Sequence, residues 1–361
     1  MIGRISDRHL GRTAAAGILL ALAVLLALDV FFAVIGELGD VGKGRYGISH
    51  VMGFVALTLP RRAYDLFPVA TVVGALLGIG GLAAGSELVA YRAAGMSRLR
   101  IALGVVLSTA VLLVPVVMLG ELLAPTTERM AQSLRISAQS DDLAIAGDTS
   151  LWVRDGQRFI NARRPVVGTS PAGSVTLADI DIFQFQEGRL TDMAQADLAV
   201  HDGDTWVLQG VRRSRLTPER VTVEVVAEER WPSLIEPDVL TTAVARPRHL
   251  ALAELKPYVD YLERNGLDSS AYRAALWARL AYPVTAIVII LAGMPFVFGS
   301  LRSGGLGQRL FLGMLLGVGF YLANRIAVNI GQVYRIDPAL MAFAPSLALI
   351  GIAVWGLRRE A

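Results

Sequence analysis

The side chains that most often carry out catalysis are sparse in this chain. Cysteine is absent, which excludes a thiolate nucleophile, a thiolate metal site and a disulfide framework. The stretch Gly168-Thr169-Ser170-Pro171-Ala172 lacks the last glycine of a nucleophile elbow, and no Walker lysine motif for ATP occurs. The four histidines stand far apart and form no His-Glu-x-x-His pattern: His9, His50, His201 and His249. We therefore expect neither an enzyme nor a cofactor.

One short polar stretch, from Ser86 to Ser97, has the composition of a docking element. Its sequence is SELVAYRAAGMS. Ser86 can cap a short helix with Glu87 in its first turn, Gly95 can end that helix, and Ser97 can start the next one. The residue types leave two interpretations open. The stretch is either a rigid peg that passes motion from a separate nucleotide-driven subunit to the membrane helices, or a capped loop without a partner.

Six long apolar runs surround this stretch and predict six membrane-spanning helices. Hydrophobic residues make up 54% of the chain and charged residues 18%, whereas about a quarter of a soluble domain is charged. A helix needs about 20 mostly apolar residues to cross the hydrocarbon core. The first run is too long for a signal-peptide core, so we interpret it as the first span. The runs are 14–35, 66–84, 101–119, 280–298, 310–333 and 339–357.

The basic residues at the ends of these runs predict the orientation. With the N-terminus in the cytoplasm, ten basic residues lie on the inner side and five on the outer short segments, as the positive-inside rule requires. The inner set is Arg4, Arg8, Arg12, Arg92, Arg98, Arg100, Arg302, Arg309, Arg358 and Arg359. The outer set is Lys43, Arg45, Arg61, Arg62 and Arg335. This distribution differs from the one-sided basic face of a nucleic-acid-binding domain, so no nucleic acid partner is expected.

The polar region between the third and fourth runs has the pattern of a β domain. Leu151-Trp152-Val153 and Phe159-Ile160 flank Asp155-Gly156, which is a hairpin signature. Many short strands between glycine turns, from about 138 to 229, predict a sandwich or jelly roll. A helical segment over 251–264 should end at Gly266. The domain serves either as a rigid module or as a docking site that pairs by edge-strand addition.

These elements predict an α+β membrane protein with three parts. Residues 1–125 hold spans one to three and the surface helix 86–97. Residues 126–267 form the β jelly-roll-like domain with flanking helices, and 268–361 hold spans four to six.

Several residues inside the predicted spans are candidates for packing or binding. The pairs Gly74 with Gly78 and Gly81 with Gly85 have the small-xxx-small spacing of close helix packing. Asp29 and Arg325 carry charge within or near the bilayer, where charge is expensive. We expect both to face a cavity or a subunit interface, or to reach the membrane edge.

Taken in order, the motifs of this chain resemble the LptF/LptG permease family of the lipopolysaccharide exporter. Ser86 to Ser97, followed by Arg98, resembles the coupling helix of that family. The resemblance covers essentially the whole chain and favours the LptG branch over the paralogous LptF branch. The other matching motifs are Asp7-Arg8-His9-Leu10-Gly11-Arg12, Phe67-Pro68, Gly74-Ala75-Leu76-Leu77-Gly78, Glu121-x-x-Ala124-Pro125, Leu151-Trp152-x-x-Asp155-Gly156 and Phe298-Gly299-x-Leu301-Arg302-Ser303.

The resemblance implies a transport subunit of an ABC-type exporter. In this family one LptF and one LptG form the membrane part, a dimer of the ATPase LptB binds below, and the single-span LptC joins at the side. Lipopolysaccharide enters from the outer leaflet of the inner membrane and moves through the β domains toward LptA. The implied location is the bacterial inner membrane, with both termini in the cytoplasm and the β domain in the periplasm.

The resemblance also implies residue roles. The ATPase-coupling set is Ser86, Glu87, Leu88, Tyr91, Arg92, Ala93, Ala94 and Gly95. The lipid-contact set is Lys43, Arg45, Leu66, Phe67, Arg135 and Tyr321, of which Leu66, Phe67 and Tyr321 can equally be lipid-facing or core residues. Family members carry lysines at the outer end of span one, where this chain has Ala33, Gly39 and Asp40.

A six-span secondary transporter is the alternative from another class. Such a protein needs several ionisable groups near the membrane midplane, and only Asp29 comes close to that position.

Overall fold

The computed structural model describes residues 5–139, 151–155, 157–166, 176–186, 189–202, 205–217, 220–232, 247–298 and 305–359. They belong to two compact units, one of Met1–Gln139 with Ser270–Ala361 and one of Ser140–Ser269. The stretch Gly168 to Ala172 and most of the motif that begins at Phe298 lie outside the described residues.

The first unit is helical. Its helices are α1 (Ile5–Leu38), α2 (Ile48–Ala84), α3 (Glu87–Ala93), α4 (Arg98–Met118), α5 (Ala124–Gln139), α7 (Ser270–Phe298), α8 (Leu306–Val333) and α9 (Pro338–Arg359). Among the described residues, five helices are long and apolar enough to cross a membrane: Ser6–Leu38, Ile48–Ala84, Arg98–Gln139, Ser270–Phe296 and Gly307–Val333. A shorter apolar helix covers Pro338–Ile352, so a sixth span stays a prediction.

The helix α2 begins well before the apolar run that predicted it. Its outer part, which includes Val51, packs in a buried cluster with Ala131 of α5. Because this packing shields one face of a segment of mixed polarity, the helix extends outward from position 66 to Ile48. Arg61 and Arg62, which we expected in an outer segment, are therefore helical.

The third long helix continues into the segment expected to flank the β domain. A π-helical turn, Leu119–Leu123, joins α4 to α5 without a break. The helix α5 packs with α2 through Ala131 and Ala138, so it belongs to the helical unit.

The second unit contains one antiparallel sheet. Its strands are β1 (Leu151–Asp155), β2 (Arg158–Val166), β3 (Thr176–Gln186), β4 (Arg189–Asp202), β5 (Thr205–Leu216) and β6 (Val221–Pro232), paired in that order. The predicted hairpin is confirmed, because Val153 pairs with Ile160 across β1 and β2. The described strands form a meander in one sheet. An antiparallel β domain is thus confirmed, and the jelly-roll closure stays a prediction.

One face of this sheet carries the core of the unit. The buried side chains include Leu177, Ile180, Ile182, Trp206, Leu208 and Val211, and Tyr261 packs against them. Tyr261 lies on α6 (Leu252–Arg264). The amide of Leu267 donates to the Leu262 carbonyl at 2.8 Å, and Gly266 has φ +64°, so the predicted glycine cap of this helix is confirmed.

Candidate functional site

The short helix α3 has a well-defined end. The Gly95 amide donates to the Arg92 carbonyl at 2.9 Å and the Met96 amide to the Tyr91 carbonyl at 3.0 Å, with Gly95 at φ +85°. These two bonds form a Schellman motif, which requires a left-handed residue at the position that Gly95 occupies. The Ser97 hydroxyl then accepts the Arg100 amide at 3.2 Å and caps α4, as the sequence predicted.

The start of α3 differs from the expectation. Ser86 precedes the helix, but its backbone is left-handed, at φ 60°, and its side chain makes no capping hydrogen bond. Its amide donates to the Ala83 carbonyl at 3.2 Å. Ser86 therefore closes α2 rather than capping α3, because a left-handed residue does not have the extended backbone with which an N-cap side chain reaches the following amides.

The two faces of α3 differ in polarity and exposure. Leu88 is buried in the main core of the helical unit with Met96, and Tyr91 packs against that core. Burial, followed by the nearby Glu87 carboxylate, raises the pKa of Tyr91. The rest of the helix and its end are exposed: Glu87, Val89, Ala90, Arg92, Ala93, Ala94 and Gly95. A core-anchored helix thus presents one carboxylate, one guanidinium, the valine side chain of Val89 and small side chains outward.

The first turn of α1 reaches this helix. His9 Nε2 lies 3.4 Å from Glu87 Oε2, and the Glu87 side chain remains 51% exposed. An Arg100 nitrogen donates to the Asp7 carboxylate at 2.8 Å, which ties the same turn of α1 to the start of α4. Sequence reasoning missed both contacts, since the residues involved are far apart along the chain.

A second polar cluster surrounds Arg135 of α5. Its guanidinium contacts Glu37 at 3.4 Å, forms a short contact with Asp40, and lies over the Phe54 ring at 5.5 Å from the centroid. Lys43 Nζ donates to the other Asp40 oxygen at 2.6 Å. Two of the three cations in the lipid-contact set, Lys43 and Arg135, are therefore already paired with carboxylates.

The electrostatics of this Arg135 cluster follow from those pairs. The hydrogen bond from Lys43, and then that from Arg135, lowers the pKa of Asp40. Burial, and then the hydrogen bond to Glu37, raises the pKa of Tyr46 to about 12. Arg45, the third candidate cation, has an exposed side chain, and its amide donates to the Ala138 carbonyl at 2.7 Å.

The charges within the predicted spans have partners that the sequence did not indicate. An Arg62 nitrogen donates to the Asp29 carboxylate at 2.6 Å, which joins α1 to α2. Arg325 donates to the Tyr321 hydroxyl at 3.4 Å, and both side chains are exposed on α8.

The apolar lipid-contact candidates differ in accessibility. Phe67 has no exposed surface and packs with Ile18 and Leu113. Leu66 is half-buried, whereas Tyr321 is 48% exposed. In this structure, therefore, Phe67 is a core residue.

Two of the four glycines singled out for packing contact another helix. A Cβ at Gly74 would lie 2.3 Å from Ile18 Cα, and one at Gly78 would lie 2.7 Å from the Thr13 carbonyl oxygen. At Gly81 a Cβ would meet nothing within 4 Å. At Gly85 it would meet only Gly81, Leu82 and Glu87, all at 3.7 Å or more.

One polar cluster among the helices had no sequence signal. The π-helical turn exposes the Gly120 carbonyl, which accepts Arg279 Nη1 at 3.3 Å, and the same nitrogen donates to Glu121 at 2.5 Å. The rings of Tyr64 and Tyr282 stack beside it, with centroids 3.9 Å apart. A π-turn is visible only in the hydrogen-bond pattern, and it often marks a functional position in a helix.

The chain is similar to known proteins over nearly all of its length. A sequence profile described as Lipopolysaccharide export system permease LptF/LptG matches residues 8–359. A Haemophilus influenzae protein named Lipopolysaccharide export system permease protein LptG is 32% identical over 357 residues, which is 98% of each chain. An Escherichia coli K12 protein of the same name is 31% identical over 360 residues, covering 99% of this chain and 98% of the relative.

Proposed function

The chain belongs to the LptF/LptG family of lipopolysaccharide export permeases, and from that premise we propose how it works. It is a permease subunit of the lipopolysaccharide export system, in the LptG position of a pair with LptF. The pair extracts lipopolysaccharide from the outer leaflet of the inner membrane and passes it to a periplasmic β bridge. A separate ATPase supplies the energy.

The exposed face of α3 carries this proposal. Glu87, Arg92 and the small residues up to Gly95 dock in a groove of an LptB dimer, where small side chains permit close approach. The buried Leu88 and the Schellman end support a rigid connection, because they tie α3 to the core that holds α2 and α4. ATP-driven movement of the groove then reaches two membrane helices at once.

The membrane topology is part of the proposal. Five candidate spans and the apolar helix Pro338–Ile352 support six spans with both termini in the cytoplasm. The unit Ser140–Ser269 is then periplasmic, and its sheet closes into a jelly-roll-like support for the moving lipid. The single-span LptC joins at the side, and LptA receives the lipid beyond.

The substrate contacts are assigned by chemistry. Lys43, Arg45 and Arg135 meet the phosphates of lipopolysaccharide, since the guanidinium fork binds two oxygens at once. Asp40 and Glu37 hold two of these cations until a phosphate displaces them. Leu66 and the exposed Tyr321 line the acyl-chain cavity. Asp29, with Arg62, and Arg325 face the cavity or the LptF interface.

The experiment that tests this proposal is co-expression with LptF, LptB and LptC. The Glu87→Ala variant should lose most ATP-driven lipid extraction, because the carboxylate is the only acidic group on the exposed face of α3. The amount of LptB that copurifies and the rate of ATP hydrolysis are measured together with lipid extraction. The matched control is Asp260→Ala, which removes an exposed carboxylate from α6 in the other unit.

Two results would overturn the proposal. If Glu87→Ala assembles and extracts lipid like the wild type, α3 is a capped turn and not a coupling element. If the wild-type chain brings down no ATPase, the exporter mechanism is wrong and a secondary transporter becomes the better explanation.

A further inference from the structure

Arg309 is a buried cation for which the described part of the chain provides no counter-ion. It lies in the first turn of α8, and only 6% of its surface is exposed. Its buried Nε has no hydrogen-bond partner. No ion pair between its guanidinium and a carboxylate is found among the described residues. Burial of a single charge is among the most unfavourable arrangements in a protein, so a missing anion is the natural expectation.

The slot that holds Arg309 is shaped by a glycine. A Cβ at Gly80 of α2 would lie 2.7 Å from Arg309 Cδ and 3.0 Å from Nε. The arginine side chain therefore lies directly against the α2 backbone at Gly80. Side chains of a helix lean toward its N-terminus, and Arg309 lies in the first turn, so its guanidinium is expected near the start of α8.

The start of α8 adds further donors. Gly305 precedes the helix and supplies no side-chain cap, so the first amides of α8 lack a side-chain acceptor from that residue. The helix dipole adds partial positive charge at this end. Arg309 and this first turn of α8 thus form one site with anion-binding chemistry.

The sequence around Arg309 contains no acidic residue. Between Ser269 and Ile336 there is no aspartate or glutamate at all, although this segment contains Arg273, Arg279, Arg309 and Arg325. Arg279 has Glu121 as its partner, and Arg325 contacts Tyr321. Arg309 alone of these is buried with an unsatisfied nitrogen. Among the described residues no carboxylate serves as its counter-ion, which favours an anion supplied by another molecule.

We propose that Arg309 and the start of α8 bind the phosphate of an anionic phospholipid from the cytoplasmic leaflet. Gly80 lies four residues before the end of α2, about 6 Å along the helix axis, and α3 follows at the surface. This inference rests on the orientation proposed above, in which Gly80 and Arg309 lie at the depth of the lipid headgroups of the cytoplasmic leaflet. An arginine fork matches two phosphate oxygens, and basic pockets between helices on this side commonly hold lipid headgroups.

A lipid phosphate fits this site better than a carboxylate of the ATPase. Arg309 lies buried between the membrane helices α2 and α8, whereas the exposed face of α3 is the surface available to a cytoplasmic subunit. The bound lipid would hold α2 against α8 at the inner boundary, beside the helix to which α3 is attached.

The test uses the full chain, purified with its partners, in nanodiscs of phosphatidylcholine with or without phosphatidylglycerol. Retained lipid is measured by native mass spectrometry, and thermal stability by intrinsic fluorescence. The wild type should retain phosphatidylglycerol selectively. Arg309→Gln should weaken that selectivity about tenfold, the size of one charge-assisted pair. Arg309→Lys should keep part of it, which separates loss of the anion contact from loss of the fold.

Arg98→Gln is the matched control, because it removes one inner-side positive charge at the start of α4. Equal loss of selectivity in Arg98→Gln and Arg309→Gln would overturn the proposal in favour of general surface attraction. Stabilisation by inorganic phosphate equal to that by the lipid would assign the site to a free anion. A crosslink from position 309 to a partner subunit in the absence of retained lipid would assign it to a protein carboxylate. Loss of ATPase copurification leaves the lipid readout intact, so the two proposals fail separately.

Discussion

Gly74 of α2 lies so close to Ile18 of α1 that no side chain fits between them. A Cβ at Gly74 would lie 2.3 Å from Ile18 Cα and 2.5 Å from the Gly17 carbonyl oxygen. Since these are backbone atoms, neither helix can relieve the overlap by changing a rotamer. Such close approach is how small residues associate helices in a bilayer, where lipid tails compete for every apolar contact.

We expect Gly74→Ala to destabilise the helical unit by about 1–3 kcal/mol through overpacking of α1 against α2. Gly81→Ala is the matched control on the same helix, because its Cβ would meet nothing within 4 Å. That variant should be neutral, or up to about 1 kcal/mol more stable from helix propensity. Thermal unfolding in detergent distinguishes the two variants. Equal stability of both would contradict the α1–α2 contact.

Substitutions at the two ends of α3 are expected to change its stability in opposite directions. Gly95→Ala places a Cβ on a residue at φ +85° and should destabilise the end of α3 by about 1–2 kcal/mol. Ser86→Gly removes the same type of strain at φ 60° and should stabilise the α2–α3 junction by up to about 1 kcal/mol. Hydrogen exchange of the α3 amides measures both effects. Faster exchange in Ser86→Gly would show that its side chain does cap the helix.

We expect the stabilising contribution of the Asp40 carboxylate to be lost at acid pH. Its hydrogen bonds from Lys43 and Arg135 lower its pKa from the ordinary 3.8. A lowered folded-state pKa means that the carboxylate stabilises the fold above the unfolded-state pKa, and that this contribution disappears as the pH falls through the folded-state pKa. The difference in unfolding temperature between the wild type and Asp40→Asn should therefore vanish at acid pH.

Thermal unfolding at several values between about pH 7 and pH 3 checks this prediction. Lys43→Ala provides the internal control, because it removes the largest cause of the shift. The loss of stability should then be smaller and should be complete at a higher pH than in the wild type. An unchanged pH profile in Lys43→Ala would mean that the ion pair contributes nothing.

The π-helical turn predicts a strong coupling between Gly120 and Tyr64. A Cβ at Gly120 would lie 2.1 Å from the Tyr64 ring, so Gly120→Ala should cost about 2 kcal/mol or more. In a Tyr64→Ala background the same substitution should cost much less, and a double-mutant cycle in thermal stability measures that difference. Additive costs would contradict the fit of this ring against the π-turn.

Local signals in the sequence predicted several elements correctly. Apolar runs located the cores of the five candidate spans, because a helix in lipid must be apolar over its whole width. Gly95 and Gly266 marked helix ends, since a left-handed residue at that position strongly favours glycine. The hairpin of β1 and β2 followed from alternation around a turn. Ser97 was correctly predicted to cap α4.

Contacts between distant parts of the chain could not be predicted in the same way. The partner of Asp29 is Arg62. We had expected Arg62 outside the helices, but the packing of α2 on α5 extends α2 to Ile48 and makes Arg62 helical. Asp40 and Glu37 surround Arg135 although 95 or more residues separate them, and Arg279 finds Glu121 across 158 residues. Spacing along the chain contains no information on such pairs.

The sequence by itself determined the class of this protein, its span-forming segments and its short surface helix, because each depends on the residue types within one stretch of chain. Only the tertiary structure decided which glycines touch a neighbouring helix, which cations already have carboxylates and which described arginine is buried with an unsatisfied nitrogen although no described carboxylate pairs with it. Gly74 and Gly81 are both glycines of α2, yet of these two only Gly74 faces α1. That difference depends on how two helices are rotated against each other, and packing of the whole bundle sets the rotation.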